Sequence, residues 1–549
     1  MDKTVYLDIM EKALDCYSEK RIRTFTERVH REGLTEHGFP RLVVAVGLLL
    51  AFGRKPEYRE WFLENMDFCC QKIPVSPVAA NDFSVREVCL CIERLREKKA
   101  VPSAHIDRWI ADLSKIDPMK TYTEVAHAPT DRLNNWALFA AVSELCRGRL
   151  CGVDTSDFVD RQLATQIDRF DEDGLYRDPH EPMVYDTVGR VLCEMVLVGG
   201  YRGKYETVLR DTVDKAGQTA LRMQSFTGAM PFGGRSNQCL HNEAWLAADF
   251  EYHATRLAEK DPEKAGEYKA AAALACRNLV QGFSFYDSHV KNRFGPDSFF
   301  GCERYAYFDK YMITVASMAY LAYFMADDTV LPITRNEADG FSLSPHFHKT
   351  FAKGFGWFLE FDTEADLAYD ANGLGRIHRV GHPETVLLSV PFPPKGAGYH
   401  TEHENPRPMS LCVFSQEKGK TVYGASCPYD SDKTATTVSP DAVTVTLSHP
   451  LGTQRIDETY TLTANGLTLH HNGGKTCGFC LPVLDFDGKA HSRITADEGR
   501  ITVLYEDSVL TYRFHGTVRS SGFYENRNGR YRVFEVLTDT VTVTDGKSN

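Results

Sequence analysis

The feature that most constrains this chain is a change in hydrophobic spacing near residue 340. Before it, apolar residues recur at three- and four-residue steps, as in HNEAWLAADFEYHATRLAEK (241–260), which is the pattern of helices. After it, apolar and polar residues alternate, as in DAVTVTLSHP (441–450), and TYTLTANGLTLHH (459–471) alternates on both sides of Asn-Gly, a strong hairpin signal. The spacing predicts an α+β multidomain chain, helical over 1–335 and an antiparallel β sandwich over 336–549. At 549 residues the chain is too long for one ordinary core, and about ten to twelve helices fit the first part.

Charge and apolar runs exclude several classes of protein. The net charge is −12 with no dense basic run, which argues against a nucleic-acid partner. The longest apolar run, LVVAVGLLLAF (42–52), is too short to span a bilayer. The chain opens without a basic start and an apolar core, so we expect a cytoplasmic protein whose 15 cysteines are reduced. We expect no metal or cofactor, because CGFC (477–480) stands without a second pair.

The stretch GGRSNQCLHNEAW (233–245) is the strongest candidate for a site. The spacing predicts a helix that starts near Ser236, and helix N-termini carry unpaired N–H groups that suit anionic ligands. A capped helix start with a packed histidine is the plain alternative. The candidate side chains in this stretch are Arg235, Asn237, His241, Asn242 and Glu243.

Two further segments combine groups that transfer protons with cations. FGCERYAYFDKYM (300–312) holds Tyr305 and Tyr307, and a nearby Arg304 or Lys310 would lower the pKa of a tyrosine. Tyrosines at helical steps are also common core residues. GLGRIHRVGHPE (373–384) places His378 between two arginines, which makes an anion site one interpretation. Of those arginines, we take Arg379 as a candidate for substrate binding.

Loops that join helices supply the remaining candidates. Within RFDEDGLYRDPHEPMVYDTVGR (169–190), DEDGLYRD is predicted to be a turn that joins two helices, and the carboxylates near it would suit a glycosidase, although solvated loop charges explain them equally well. GYHTEHEN (398–405) reads as a loop over the cleft, with a metal site as the weaker alternative. The candidate binding residues from these loops and from RLNNWALF (132–139) are Asn135, Trp136, Tyr176, Arg177, Tyr185, Asp186 and His400.

Together these segments resemble the heparinase II/III-like superfamily of polysaccharide lyases. The resemblance implies an (α/α) toroid followed by a β sandwich, with an Asn/His pair at a helix start, a later tyrosine and a histidine from the sandwich side. Here the pair would be Asn237 or Asn242 with His241, the tyrosine Tyr305 or Tyr307, and the histidine His378. NNWALF, DGLYRD and PFGGRS are also similar to toroid proteins with glycoside hydrolase relatives that act on glucuronides.

The sequence thus predicts an enzyme that cleaves a uronic-acid-containing oligosaccharide by β-elimination. In this scheme His241 or a tyrosine removes the C5 proton, and Tyr305 or Tyr307 protonates the leaving oxygen with help from His378. Hydrolysis of a glucuronide, with Glu243, Asp178 or Asp186 as carboxyl groups, remains an alternative. A third is a non-catalytic protein that binds acidic sugars. We expect an acidic oligosaccharide as partner and no cofactor, and homo-oligomerisation stays open.

Overall fold

The structure is a computed structural model that describes residues 2–76, 81–129, 133–298, 300–335 and 337–547. Its helices precede its strands along the chain, as the change in spacing predicts. The helices are α1 (Thr4–Asp15), α2 (Glu19–Glu32), α3 (Gly38–Ala51), α4 (Arg59–Lys72), α5 (Asn81–Lys98), α6 (Ser103–Leu113), α7 (Pro118–Thr121), α8 (Thr123–His127), α9 (Asn135–Cys151), α10 (Ser156–Ala164), α11 (Met183–Val198), α12 (Glu206–Met223), α13 (His241–Leu257), α14 (Pro262–Phe285) and α15 (Phe308–Met325). Among these described helices, none has the length and apolarity needed to cross a membrane.

Six of the helices contact one another in a closed ring. The order of contact is α3, α5, α9, α11, α13 and α15, and α15 returns to α3. All of α3 is buried, and α11 and α13 are buried over most of their length. A helix buried on every side belongs inside a larger helical layer. The partners α1, α4, α10, α12 and α14 pack outside the ring against α15, α3, α9, α11 and α13 respectively.

The second half is made of antiparallel strands throughout its described pairs. The strands are β1 (Asp339–Ser342), β2 (Lys349–Gly354), β3 (Trp357–Asp362), β4 (Gly373–Arg379), β5 (Cys412–Glu417), β6 (Lys420–Tyr423), β7 (Ala435–Val438), β8 (Val443–Leu451), β9 (Gln454–Thr463), β10 (Gly466–His471), β11 (Cys477–Phe486), β12 (Arg493–Asp497), β13 (Arg500–Tyr505), β14 (Ser508–Phe514), β15 (Thr517–Glu525), β16 (Arg530–Leu537) and β17 (Thr540–Lys547). They form a four-stranded sheet β1-β2-β3-β4, an eight-stranded sheet β12-β13-β14-β17-β10-β9-β8-β7 and a five-stranded sheet β15-β16-β11-β5-β6.

The pairing confirms the hairpin predicted at Asn465-Gly466, since Gly466 lies opposite Thr463 in the register of β9 and β10. The alternating residues of the eight- and five-stranded sheets share one buried core, to which β8 contributes Val443 and β11 contributes Phe479. CGFC lies within β11, and all fifteen cysteines are free.

The four-stranded sheet joins the two halves. From its strands, Phe351 and Phe358 pack into the core of the helices, whereas Trp357 and Leu359 pack into the core of the strands. Because this sheet contributes to both cores, its end strand β4 and the loops around it lie beside the loops of the helical ring. The domain boundary at 335/336 stays a prediction.

Candidate active site

The N-terminal ends of the six ring helices meet at one end of the ring, which we call the mouth. We define the mouth by one residue from the start of each helix: His37, Phe83, Trp136, Tyr185, His241 and Tyr311. Aromatic contacts link most of them. Ring centroids are 5.1 Å apart for His37 and Phe83, 4.7 Å for Phe83 and Trp136, and 5.3 Å for His241 and Tyr311. The mouth therefore combines aromatic surface with a helix-end field that favours negative charge.

The loop before α13 lies at the mouth, and buried carboxylates hold its backbone. Glu360 of β3 accepts from the N–H of Phe232 at 2.9 Å, and Asp370 accepts from that of Gly234 at 2.6 Å. Glu303 accepts from the N–H of Ser236 at 2.9 Å. Since these carboxylates come from both halves of the chain, the loop is fixed by the junction rather than by its own helix.

This loop explains why α13 begins at His241, five residues later than predicted. Ser236 and Gln238 have positive φ values of 58° and 66°, and the φ values of Gly233 and Gly234 are also positive. Left-handed backbone at non-glycine residues interrupts a helix and is held only where its surroundings demand it. The surroundings hold Ser236 in this conformation, because its backbone N–H, its hydroxyl and its carbonyl all form hydrogen bonds.

A hydrogen-bonded set of hydroxyl groups surrounds Ser236. Its hydroxyl lies 2.6 Å from the hydroxyl of Tyr305 and 3.2 Å from that of Tyr185. The rings of Tyr305 and Tyr311 are 6.1 Å apart, which connects this set to His241. Tyr305 is 37 % exposed, so part of its side chain faces solvent while its hydroxyl is hydrogen-bonded to Ser236.

The pKa values of these groups leave them uncharged near neutrality. Burial, reinforced by the charges of Arg41 and His289, lowers the pKa of His241 to about 3, and its buried Nδ1 forms no hydrogen bond. Burial raises the pKa of Tyr305 far above its usual value and that of Tyr307 to about 12. The expectation of a lowered tyrosine pKa was wrong, because desolvation outweighs any neighbouring cation.

Arg235 places a positive charge beside these hydroxyl groups. Its guanidinium lies 4.4 Å from the ring centroid of Tyr185, donates to Asp178 and donates to the carbonyl of Pro179 at 2.6 Å. Asp178 also accepts from the Asn135 side chain at 2.7 Å. The predicted residues Arg235, Asn135 and Tyr185 are thus brought together at the mouth.

The predicted asparagines Asn237 and Asn242 support the loop, whereas Tyr307 forms no hydrogen bond with it among the described residues. The Asn242 side chain donates to the carbonyl of Ser236 at 3.1 Å, and the Asn237 side chain accepts from Gln238 at 3.1 Å. Tyr307 is 41 % exposed and lies under the ammonium group of Lys310, 5.8 Å from its ring centroid.

Several predicted residues lie elsewhere. Tyr176 is fully buried against Gly189, and Asp186 is paired with Arg190 at 3.0 Å inside the helical core. Arg177 binds the carbonyl of Asp168 at 2.9 Å. These side chains brace the helices, because their polar groups are already engaged.

Of the residues predicted from the strand half, Arg379 lies away from the mouth and His400 lies on a loop that contacts the helical half. Arg379 is paired with Asp545 of β17 at 3.0 Å. His400 is exposed, and its carbonyl accepts from the N–H of Gly301, so the loop that carries it reaches the segment before α15.

His378 and Glu243 belong to a second set, which we call the ion-pair cluster, formed with the buried Lys291 and the half-buried Thr227 and Glu384. His378 Nδ1 lies 3.3 Å from the Thr227 hydroxyl, and burial lowers the pKa of this histidine to about 3. The ammonium group of Lys291 lies 2.8 Å from Glu243. Among the described residues, no hydrogen bond or ring contact joins His378 to His241 or Tyr305.

The sequence did not single out three residues at or beside the mouth: His37, Glu303 and Arg527. Arg527 comes from the turn between β15 and β16, donates to the carbonyl of Asn237 and lies 3.2 Å from Glu303. Its guanidinium also stacks on Tyr399 at 3.8 Å. Only the three-dimensional fold brings a residue so late in the chain to this loop.

Comparison with known proteins supports the fold. No protein-family model and no curated protein sequence matches this chain. Among solved structures, a mutant of the chondroitin AC lyase of Streptomyces coelicolor A3 is 11 % identical with a TM-score of 0.50, covering 100 % of this chain and 80 % of that one. A second chondroitinase AC lyase (7 % identity, TM-score 0.40, 99 % of this chain and 82 % of that one) and heparinase III (10 %, 0.36, 85 % and 77 %) are more distant. The first comparison shows that helices followed by antiparallel sheets form a shared fold over the whole chain.

Proposed function

We propose that the protein is a carbohydrate-active enzyme that cleaves a glycosidic linkage of a uronic-acid-containing oligosaccharide by β-elimination. The observation that carries the proposal is the set of uncharged acid–base groups at the mouth: a neutral imidazole, His241, beside the protonated phenols Tyr305 and Tyr311. The fold shared with a chondroitin AC lyase supports the same reaction class.

β-Elimination needs a proton acceptor, a proton donor and a positive field. The C5 proton of a uronate leaves as the C4–O bond breaks, so charge develops on the carboxylate side and on the departing oxygen. His241 is neutral and offers a free nitrogen, and a bound carboxylate would raise its pKa and make it a better acceptor. Tyr305 keeps its proton and can donate it to the leaving oxygen.

The substrate carboxylate has a matching environment. The charge of Arg41 reaches His241, and Arg235 lies against Tyr185 at the same end of the ring. The six helix N-termini add partial positive charge. Aromatic side chains at the mouth, such as the half-buried Trp136, provide faces on which sugar rings stack.

Glycoside hydrolysis is the second candidate, and the carboxyl groups available to it are already engaged. Asp178 is bound by Arg235 and Asn135, whereas Glu243 is paired with Lys291. A hydrolase needs one free carboxylic acid and one carboxylate on opposite sides of the bond. These pairings favour elimination.

The test is product analysis on a panel of uronate oligosaccharides with neutral oligosaccharides as controls. We expect cleavage of acidic substrates only, with fragment masses that sum to the substrate mass and with the absorbance of a 4,5-unsaturated uronate. Fragments that together contain one added water would identify a hydrolase. Binding of acidic sugars without turnover would identify a non-catalytic protein, and either result contradicts the proposal.

A further inference from the structure

A second group of polar side chains lies deep in the helical ring, away from the mouth. Glu194 of α11 and Asp249 and His253 of α13 each direct one ligand atom to a common region, with these atoms all within 4.8 Å of one another. Their side chains are at most 1 % exposed. His253 follows His241 by twelve residues, about 18 Å along the helix. The group is therefore distinct from the proposed catalytic residues.

These side chains lack the hydrogen bonds that burial normally requires. His253 Nε2, both carboxylate oxygens of Glu194 and Asp249 Oδ2 are buried, and among the described residues their only hydrogen bonding is between Glu194 and Asp249 themselves. Burying polar atoms without an outside partner is costly, so several of them in one place indicate that an ion binds between them.

The distances fit a metal ion. His253 Nε2 lies 3.4 Å from Glu194 Oε1 and 3.7 Å from Asp249 Oδ1. Two ligands bound to Zn²⁺ at about 2.1 Å and at a tetrahedral angle lie roughly 3.4 Å apart. The distance from His253 Nε2 to Glu194 Oε1 therefore matches one edge of a coordination tetrahedron, and the distance to Asp249 Oδ1 is slightly longer than such an edge.

The imidazole of His253 is oriented before any ion binds. One face stacks on the ring of Tyr268, with centroids 4.9 Å apart and an angle of 26°. The backbone of Gly217 on α12 packs against the Nε2 end, where a β-carbon would overlap the ring. This packing restricts rotation of the imidazole, so Nε2 keeps a fixed direction.

Arg190 holds two neighbouring carboxylates in place. Its guanidinium is paired with Asp186 and with Oδ1 of Asp249. Oδ2 of Asp249 is buried without a hydrogen bond to any described residue outside the group, so it remains available to a cation.

We propose that Glu194, Asp249 and His253 bind a divalent transition-metal ion, for which Zn²⁺ is the probe of choice. One imidazole and two carboxylates suit zinc. The ion would join α11 to α13, two neighbouring helices of the ring, and would act as a structural cross-link.

The experiment measures zinc content and thermal unfolding of the full chain. Protein stripped with a chelator and then given Zn²⁺ should retain one ion after desalting, and its Tm should rise by about 3 °C at saturating zinc. His253→Gln should remove both effects. Glu402→Gln is the matched control, because Glu402 belongs to a partly exposed second group with His403 and Glu525 and should leave both effects unchanged.

Anomalous scattering at the zinc edge from crystals of the unaltered protein locates the ion even if the variant fails to fold. A peak between Glu194 and His253 supports the proposal. Unaltered protein that retains no zinc and whose Tm is unaffected by it, or a peak only at Glu402, overturns it and means that the buried carboxylates share protons instead.

Discussion

The mouth and the ion-pair cluster both contain a buried histidine whose pKa is lowered to about 3. They differ in how the polar groups around that histidine are accommodated in the interior. In the ion-pair cluster, charged groups neutralise one another, as Lys291 does for Glu243 at 2.8 Å. At the mouth, the acid–base groups stay uncharged, and Tyr305 is partly exposed. The comparison teaches that burial alone does not mark a catalytic histidine, and that the groups around it, uncharged phenols for His241 and ion pairs for His378, distinguish the two sites.

The largest expected effect is on the phenol of the mouth. Tyr305→Phe removes the proton donor but keeps the ring, so kcat should fall by about 10²–10⁴-fold while the unfolding temperature changes little. Tyr307→Phe is the control, because Tyr307 shares none of the hydroxyl contacts around Ser236 and should lose less than tenfold. Rates follow from the absorbance of the unsaturated product. Full activity in both variants would show that neither tyrosine donates a proton in the reaction.

The ion-pair cluster should respond in stability instead. Lys291→Met leaves Glu243 buried without its partner, which should lower the free energy of unfolding by about 3–5 kcal/mol, measured by urea unfolding. Lys395→Met removes the exposed pair with Glu404 and should leave the urea midpoint unchanged. Equal midpoints for the two variants would mean that Lys291 is not the neutralising partner.

A pH series separates the protonation of His378 from its packing. Its folded pKa of about 3 lies below the unfolded value near 6.5, so its contribution to stability is present above pH 6.5 and is lost as the pH falls towards 3. His378→Gln should therefore make the loss of stability between pH 6.5 and 4.5 shallower by about 2–3 kcal/mol. Parallel curves for variant and parent would show that the buried imidazole does not resist protonation.

The smallest effect distinguishes two arginines. Arg235→Gln removes a cation from the mouth and should raise KM for an acidic substrate about tenfold with little change in kcat. Arg379→Gln should leave KM unchanged, because the contacts of Arg379 with Asp545, Phe355 and Trp357 all lie away from the mouth. Steady-state kinetics on one uronate oligosaccharide checks both. The opposite pattern would indicate that the substrate carboxylate binds beside β4 instead.

The sequence predicts the periodic parts of this molecule well and the site only in part. Helices before about residue 330, strands after it and the hairpin at Asn465-Gly466 follow from local spacing. The start of α13 does not, because the left-handed backbone of Ser236 depends on Glu303 and Tyr305 across the junction.

Burial is the other property that spacing did not reveal. Tyr176 and Asp186 stand in a polar loop sequence, yet both side chains point into the helical core. Arg527 reaches the mouth from nearly three hundred residues away through the turn between β15 and β16. Such contacts depend on how the two halves dock, which no local pattern contains.

The central claim is that chemistry takes place at the mouth and not at the ion-pair cluster. Side-by-side kcat/KM values for His241→Gln and His378→Gln on the same uronate oligosaccharide test it most directly, at a pH near neutrality where both parent histidines are uncharged. We expect a loss of about 10²-fold or more for His241→Gln and less than about tenfold for His378→Gln, which lies outside the mouth. A large loss for His378→Gln with His241→Gln fully active would contradict the account.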